Sequence, residues 1–162
     1  MAYQLEPFAD EHAGSILAWV ESPADREAWA SRADLELTPD VFLDWHDNPD
    51  VHPYVLIDDG ELRGYGEVWT DEAEGEAELA HVVVAPAARG RGVGRRLVAL
   101  LSERARELGF DDIWVRVLPT NAHALAAYAA AGFVRAKPGE EAAFNARQPH
   151  DYVWMRLADA AE

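Results

Sequence analysis

The chain has 162 residues, a formal net charge of −16 and no cysteine. That length is typical of one domain, and 49% hydrophobic residues suffice for a packed core rather than a disordered chain. The missing cysteines exclude disulfides, thiolate metal sites and a thiol nucleophile, and the acidity argues against binding to nucleic acid, which favours a basic face.

The N-terminal segment predicts a protein of the cytoplasm. MAYQLEPFADEH has neither the basic region nor the apolar stretch of a secretory signal peptide. No apolar run approaches the roughly 20 residues that span a bilayer, so no membrane partner is expected. A reducing compartment also fits a chain without cysteine.

The first 50 residues predict one strand followed by helices. Residues 3–8 predict the strand, and a helix opening at Asp10 or Ser15 follows it. Two pairs, Ser22-Pro23 and Thr38-Pro39, are typical of an N-cap followed by proline in the first helical turn. Each pair therefore predicts the start of a further helix.

The middle of the chain predicts antiparallel strands. Residues 54–57 and 62–69 flank the turn signal Asp58-Asp59-Gly60, which indicates a hairpin. An acidic turn over residues 71–75 leads to a third strand over 78–84, which ends before proline.

The second half alternates helices and strands. Leucines from 97 to 108 recur at helical spacing, and an alanine-rich helix over 121–131 ends at a glycine. The predicted strands are 113–118, 133–136 and 152–157, with a loop over 138–149. The chain thus predicts one α+β domain (α/β three-layer) over 1–162, with a mixed, mostly antiparallel sheet of about six or seven strands flanked by helices.

A glycine-rich loop connects the strand at 78–84 to the following helix. Backbone N–H groups in such a loop and the positive end of the helix dipole form an anion site suited to phosphate. The loop lacks the Gly-Lys-Ser/Thr ending of a Walker A loop. It also places Arg95 where the dinucleotide-binding pattern requires glycine or alanine.

Three phrases of the sequence resemble the GNAT superfamily of N-acetyltransferases. The strand ends Val82-Val83-Val84-Ala85-Pro86, and the loop matches the pyrophosphate pattern as Arg89-x-x-Gly92-x-Gly94. The phrase Asn121-x-x-Ala124-x-x-x-Tyr128-x-x-x-Gly132-Phe133 is similar to the second cofactor motif of the family. The resemblance implies the acyl-CoA N-acyltransferase fold, with acetyl-CoA as cosubstrate and residues 76–136 as its binding core.

The resemblance also implies roles for these residues. Asn121 would contact the cofactor arm, and Tyr128 would lie beside the thioester sulfur as the general acid. A plain helix N-cap is the alternative for Asn121, and core packing is the alternative for Tyr128. The implied cofactor contacts are Val82, Val83 and Val84 with the pantetheine arm, and Arg89, Gly90, Arg91, Gly92, Val93, Gly94 and Arg95 with the pyrophosphate.

Transfer of an acetyl group to an amine also needs a base. Glu78 is predicted first, because a glutamate at this place on the strand is the base in the histone-acetyltransferase branch of the family. Glu67 is second and His81 third. Strand alternation places Glu78 and His81 on opposite faces unless a bulge shifts the phase. A solvated acid is the alternative for Glu78, a structural histidine is the alternative for His81, and no metal is assigned.

The identity of the acceptor amine depends on the N-terminal half, since the resemblance places the helices of residues 1–50 at the acceptor side. Residues 1–88 hold 21 acids and 3 bases, with four of the six tryptophans. We expect a small, cationic amine drawn by charge and packed on Trp19, Trp29, Trp45 and Trp69. Salt adaptation or core packing would also explain these residues.

Two other functions stay open. A protein or peptide N-acetyltransferase is disfavoured because Arg116 replaces a glutamate that ribosomal-protein alanine acetyltransferases carry on this strand. A non-catalytic acyl-CoA sensor is disfavoured by Tyr128. The oligomeric state is not determined by the sequence, which is compatible with a homodimer.

Overall fold

A computed structural model describes residues 2–32, 34 and 36–158, with a seven-stranded sheet at the centre. In the order β1-β2-β3-β4-β5-β7-β6, β4 and β5 run parallel and the other neighbours antiparallel. This arrangement confirms the predicted mixed sheet. The strands are β1 (Tyr3–Pro7), β2 (Val51–Asp58), β3 (Glu61–Asp71), β4 (Glu76–Val84), β5 (Asp112–Val117), β6 (Phe133–Arg135) and β7 (Val153–Leu157).

Two helices begin at the Ser22-Pro23 and Thr38-Pro39 pairs that predict them. The Ser22 hydroxyl accepts from the Asp25 amide at 3.0 Å, and the Thr38 hydroxyl accepts from the Val41 amide at 3.2 Å. No described helix is both long and apolar enough to cross a membrane. The helices are α1 (Ala13–Ala18), α2 (Pro23–Ala30), α3 (Pro39–Asp44), α4 (Val93–Glu107), α5 (Ala122–Ala130) and α6 (Pro138–Asn145).

Helix α6 corrects the prediction of a loop over 138–149. Its proline and glycine indicated a loop, but proline is favoured in a first helical turn and the acidic residues that follow suit a helix N-terminus. The other end of the helix is held by Asn145. Its side chain accepts from the Tyr152 amide at 3.1 Å and from the Trp154 indole at 2.8 Å, and it donates to the Tyr152 carbonyl at 2.8 Å.

Two hydrophobic layers cover the sheet. On one face, Leu97 and Leu101 of α4 lie over Gly64 and Gly66 of β3, where added Cβ atoms would come within 2.9 and 2.5 Å of the leucine methyls. Glycine is therefore needed here for close helix packing. On the other face, α1, α2 and α3 pack on β2 and β3 around Phe42 and other buried residues.

A bulge in β4 changes which face its side chains occupy. Register shifts so that Tyr65 pairs with Val83 but Glu67 pairs with Ala80, which leaves one extra residue in β4. His81 lies at this bulge with φ of 51°. Leu79 before the bulge and Val82 after it both pack toward α4. Glu78 and His81 therefore lie on the same face of the sheet, opposite α4. The bulge shifts the alternation of side chains, which was the alternative to regular alternation in the sequence prediction.

Candidate active site

Strands β4 and β5 diverge in the middle of the sheet and open a cavity between them. They pair only over Glu76–Glu78 and Asp112–Trp114 within the described chain. Beyond that point no strand among the described residues pairs with the edge of β4 that faces β5. The cavity has a volume of about 170 Å³, and its polar lining comprises Ser31, Glu78, His81, Arg116, Asn121, Tyr128 and Tyr152.

The glycine-rich loop leads from β4 into α4 with two residues in left-handed conformations. Gly90 and Gly92 have φ of 78° and 76°, and Gly92 is the N-cap of α4. The first N–H groups of α4 have no partner within the helix and point out of its end. A Cβ on Gly94 would lie 3.7 Å from Val84, so this residue allows α4 to approach β4.

Arginines surround the loop. Arg91, Arg95 and Arg96 are exposed, and the guanidinium of Arg89 donates to the Val84 carbonyl at 3.1 Å. Together with the loop amides, they make an electropositive surface in a strongly acidic protein. This combination fits a multiply charged phosphate ligand.

Asn121 and Tyr128 lie on α5, at the other side of the cavity. The oxygen of the Asn121 side chain accepts from the Ala124 amide at 3.2 Å, so Asn121 caps α5. The nitrogen of the same side chain can still donate a hydrogen bond to a ligand. Tyr128 packs edge-on against Phe133 at 5.7 Å and lines the cavity. Its hydroxyl has no hydrogen-bond partner among the described residues. Burial, with the nearby negative charge of Glu78, raises the pKa of Tyr128.

Glu78 forms a bidentate ion pair with Arg116 across the cavity. Nε and Nη2 of the guanidinium donate to its two oxygens at 2.6 and 3.1 Å. Arg116 also donates to Gln148 at 2.7 Å and lies 5.5 Å from the Trp69 ring centroid. Burial raises the pKa of Glu78 although Arg116 opposes that rise.

Glu67 is fully buried at the centre of a second polar network. It accepts from the Tyr65 hydroxyl at 2.5 Å and the Trp69 indole at 2.8 Å, and both of its oxygens lie 3.1 Å from Nδ1 of His81. Burial alone would raise the pKa of Glu67, but the charge and hydrogen bonds of its neighbours outweigh burial and lower it. Glu67 is thus a buried carboxylate with three donors.

His81 lies between this network and the cavity. Trp45 stacks on its ring with a centroid separation of 4.4 Å, and the Trp29 indole donates to its backbone carbonyl. Trp69 contacts the ring edge-on at 5.5 Å. Three of the four tryptophans predicted for the acceptor side therefore surround His81, whereas Trp19 packs in the hydrophobic core.

A second, wider cavity adjoins the first on the same face of the sheet. It has a volume of about 750 Å³ and shares Trp69, Glu78 and Arg116 with the first cavity. Its remaining walls include four carboxylates and three aromatic rings, which favour a cation. We name it the acidic groove, and its characteristic residues are Asp50, Asp71, Glu72, Glu76, Trp114, Phe144 and Trp154.

Comparison with known proteins agrees with this geometry. Residues 11–133 match the model of the Acetyltransferase (GNAT) family. Streptothricin acetyltransferase of Streptomyces lavendulae is 33% identical over 88 residues, which cover 54% of this chain and 47% of that protein. IAA acetyltransferase of Azospirillum brasilense is 30% identical over 90 residues, or 56% and 59%. The chain thus spans about half the length of the curated relatives it matches.

Solved structures share the fold over nearly the whole chain. AAC(6')-Ib in complex with paromomycin and acetyl-CoA has a TM-score of 0.74 at 20% identity, covering 99% of this chain and 96% of that one. Spermidine N-acetyltransferase from Vibrio cholerae, with CoA and spermine, has a TM-score of 0.73 at 18% identity, covering 95% and 92%. These likenesses support the fold. The family match over residues 11–133 shows that the chain belongs to the acetyltransferase (GNAT) family.

Proposed function

We propose that this protein transfers the acetyl group of acetyl-CoA to a primary amine of a small, cationic molecule. The observation that carries the proposal is the cavity between β4 and β5, which has Tyr128 in its wall and lies along the strand that leads into the glycine-rich loop. Membership of the family supports the reaction class. In direct transfer the amine itself attacks the thioester, and the protein only moves protons. This reaction needs no thiol nucleophile, and the chain has no cysteine.

Several groups of the chain fit acetyl-CoA. The edge of β4 continues beyond its pairing with β5 through Val82, Val83 and Val84, whose backbone groups suit the amides of a pantetheine arm, although the Val84 carbonyl already accepts from Arg89. The N–H groups around Gly92 and the adjacent arginines suit the pyrophosphate, because no side chain fills the loop and a Cβ on Gly90 or Gly92 would meet no atom within 4 Å. The acetyl-CoA core therefore corresponds to residues 76–136, including Asn121.

Tyr128 is proposed as the acid that protonates the departing thiolate. A hydroxyl with a raised pKa and no partner within the described protein stays protonated at neutral pH and can donate. A backbone N–H of Val82, Val83 or Val84 is the proposed donor to the oxyanion. Direct attack by the amine then needs one more group, a base.

The acidic groove supports a cationic acceptor. Its carboxylates outnumber its cations, and the ion pair of Glu78 already engages Arg116. Neighbouring carboxylates contribute to the raised pKa of Glu76, after burial, which indicates uncompensated negative charge at the groove. The likeness to AAC(6')-Ib with paromomycin and to the spermidine enzyme with spermine agrees with an amine of this kind.

Release of free CoA thiol from acetyl-CoA across a panel of amines tests the proposal. The panel contains polyamines, aminoglycosides, amino-acid-like amines, neutral amines and a short peptide. We expect turnover with the multiply charged amines and kcat/KM at least tenfold lower for neutral amines of similar size. Preference for neutral or anionic acceptors would contradict the cationic substrate class. Tight CoA binding without turnover on any amine would instead indicate a sensor.

A further inference from the structure

We propose that His81, positioned by Glu67, takes the proton from the acceptor ammonium. The inference rests on the proposed acetyl transfer and names the base of that site. His81 occupies the bulge of β4 and lines the same cavity as Tyr128. The two side chains thus face one space from β4 and α5, as a base and an acid acting on one reaction must.

The hydrogen bonds of Glu67 determine the tautomer of His81. Burial alone would raise the pKa of Glu67, but neighbouring charge and hydrogen bonds lower it, and two of these bonds, from the Tyr65 hydroxyl and the Trp69 indole, do not involve His81. Glu67 is therefore a carboxylate. An ionised carboxylate only accepts, so Nδ1 of His81 carries the proton of the neutral ring. The lone pair of that ring is then on Nε2, which has no hydrogen-bond partner among the described residues. A free lone pair on a residue that lines the cavity is what a base needs.

The backbone and ring of His81 are held in place. Its φ of 51° is unfavourable for a residue with a Cβ, and the indole of Trp29 donates to its carbonyl in this conformation. Trp45 stacks on the ring at 4.4 Å with planes inclined by 20°. Backbone strain that the surroundings maintain is concentrated at functional positions. The tryptophan contacts and the Glu67 bond fix the direction of Nε2.

Glu78 is less suited to the same task, although it was predicted first. Both of its oxygens receive hydrogen bonds from Arg116, so proton uptake would break a bidentate ion pair. The ion pair instead forms part of the wall between the cavity and the acidic groove.

Charged and titratable groups surround His81 on several elements. Glu67 and Tyr65 approach it from β3, and Glu78 from β4 with Arg116 of β5 as its counter-ion. His46, in the turn after α3, donates through Nε2 to the Tyr65 oxygen at 2.9 Å. Of these groups, Glu67 lies within hydrogen-bond distance of the His81 ring, with both carboxylate oxygens 3.1 Å from Nδ1.

The protons balance in this scheme. The ammonium transfers one proton to Nε2, and the freed lone pair of the nitrogen forms the C–N bond to the thioester carbonyl carbon while the π pair of the C=O bond moves onto oxygen. When that pair re-forms the C=O bond, the C–S bond breaks and its electron pair stays on sulfur, which takes a proton from Tyr128. The nitrogen loses its second proton, which restores Tyr128, and His81 returns its proton to water. One proton is released for each amide formed.

His81→Asn tests the proposal directly. Asparagine tolerates a positive φ, and its amide can still donate to Glu67, but it lacks the basic nitrogen. We expect kcat to fall about 100-fold or more, with loss of the ascending limb of the pH–rate profile and unchanged CoA affinity. His52→Asn is the matched control, because His52 lies on β2 and contacts Thr70 at 3.3 Å; its kcat should stay within twofold of the parent.

Two further variants separate the assignments. Glu67→Gln should lower kcat several-fold with KM and CoA affinity unchanged, because an amide can turn its N–H toward Nδ1 and no longer fixes the tautomer of the ring. A merely structural role would change all three. Glu78→Gln should retain the limb. If Glu78→Gln abolishes the limb while His81→Asn retains it, the inference is overturned and Glu78 is the base.

A measurement on the parent protein covers the case in which a variant fails to fold. Nitrogen-15 NMR of the histidine rings should show His81 with its proton on Nδ1 at neutral pH. A ring protonated on Nε2 alone would overturn the inference, whatever the variants do. If the parent enzyme is active but the variants or the NMR spectrum contradict the role of His81, only the base assignment is disproved. If the parent has no activity on any amine, the proposed acetyl transfer itself is disproved.

Discussion

Burial and the negative charge of Glu78 raise the pKa of Tyr128 above its ordinary value of 10.0, so its hydroxyl keeps its proton well above neutral pH. Tyr128→Phe removes only the hydroxyl from a ring that packs against Phe133. We therefore expect kcat to fall about 100-fold while the CoA dissociation constant stays within twofold. Steady-state kinetics and calorimetric CoA titration check this. Equal losses of turnover and CoA affinity would contradict the role as acid.

The pair of Glu78 and Arg116 makes a prediction for stability. Arg116→Gln leaves a buried carboxylate without a counter-ion, which should cost about 2–3 kcal/mol of unfolding free energy at pH 7. Burial then raises the pKa of Glu78 further, so the native state binds a proton more readily than the unfolded state. Stability should fall as pH rises from the ordinary value of 4.5 through that raised pKa, and the deficit should be small near pH 4.

Urea unfolding at pH 4 and pH 7 checks that sign. The double variant with Glu78→Gln should recover more than half of the loss, because no buried charge remains. Arg156→Gln is the matched control, since Arg156 pairs with Asp112 while half exposed and should contribute less than about 1 kcal/mol. A deficit in Arg116→Gln that is equal at both pH values would contradict the ion-pair explanation.

Sequence patterns identified the glycine-rich loop before α4 and placed Asn121 and Tyr128 on one helix, because glycines, caps and helical spacing are local signals. They did not distinguish among Glu67, Glu78 and His81. Regular alternation places the last two on opposite faces, and only the bulge brings them together. Glu67 is buried among Tyr65, Trp69 and His81, which come from two strands. A local sequence pattern therefore cannot predict this burial.

Among the elements, the loop before α4 depends on the left-handed conformation of Gly92. Gly92→Ala should lower the unfolding free energy by about 1 kcal/mol, because φ of 76° is strained for alanine. Gly92→Asn should lose less stability, since asparagine tolerates this conformation. Both variants should weaken CoA binding several-fold by placing a side chain on the loop.

Gly139→Ala provides the control for that comparison. Gly139 lies in α6 with an ordinary φ, and a Cβ there would meet no atom within 4 Å. Alanine should raise stability by about 0.5–1 kcal/mol and leave CoA binding unchanged. Thermal unfolding and CoA titration check both. Unchanged CoA affinity in both Gly92 variants would count against the loop as the pyrophosphate site.

The element order of the sequence prediction is confirmed, except for α6. Most element boundaries are marked by short-range signals, which can be interpreted without knowledge of the fold. These signals are the hairpin turn, the Ser-Pro and Thr-Pro pairs and the helix-ending glycines. Helix α6 was read as a loop because its proline and glycine are ambiguous, and its end is held by Asn145 contacts to β7. The divergence of β4 from β5 likewise depends on pairing between distant strands.

For the whole molecule, the formal charge of −16 predicts a dependence on salt. Mutual repulsion of surface carboxylates destabilises the folded state, and it is screened once the Debye length falls from about 30 Å at 0.01 M to about 10 Å at 0.1 M. We expect the unfolding temperature to rise by a few degrees between 0.01 and 0.3 M NaCl, with the same rise in KCl. Thermal scans measure this, and a falling midpoint would contradict it.

The bulge at His81 also restricts how this protein can vary in length. Because of the extra residue, β4 supplies Leu79 and then Val82 and Val84 to the α4 layer, while Glu78, His81 and Val83 face the other layer. Deletion of one residue between 80 and 83 would restore regular alternation and exchange apolar and polar side chains between the two layers. We therefore expect related chains to differ in length at the exposed turn over 72–75 and not within β4. A related chain with an alignment gap in this strand should have different side chains lining the cavity between β4 and β5.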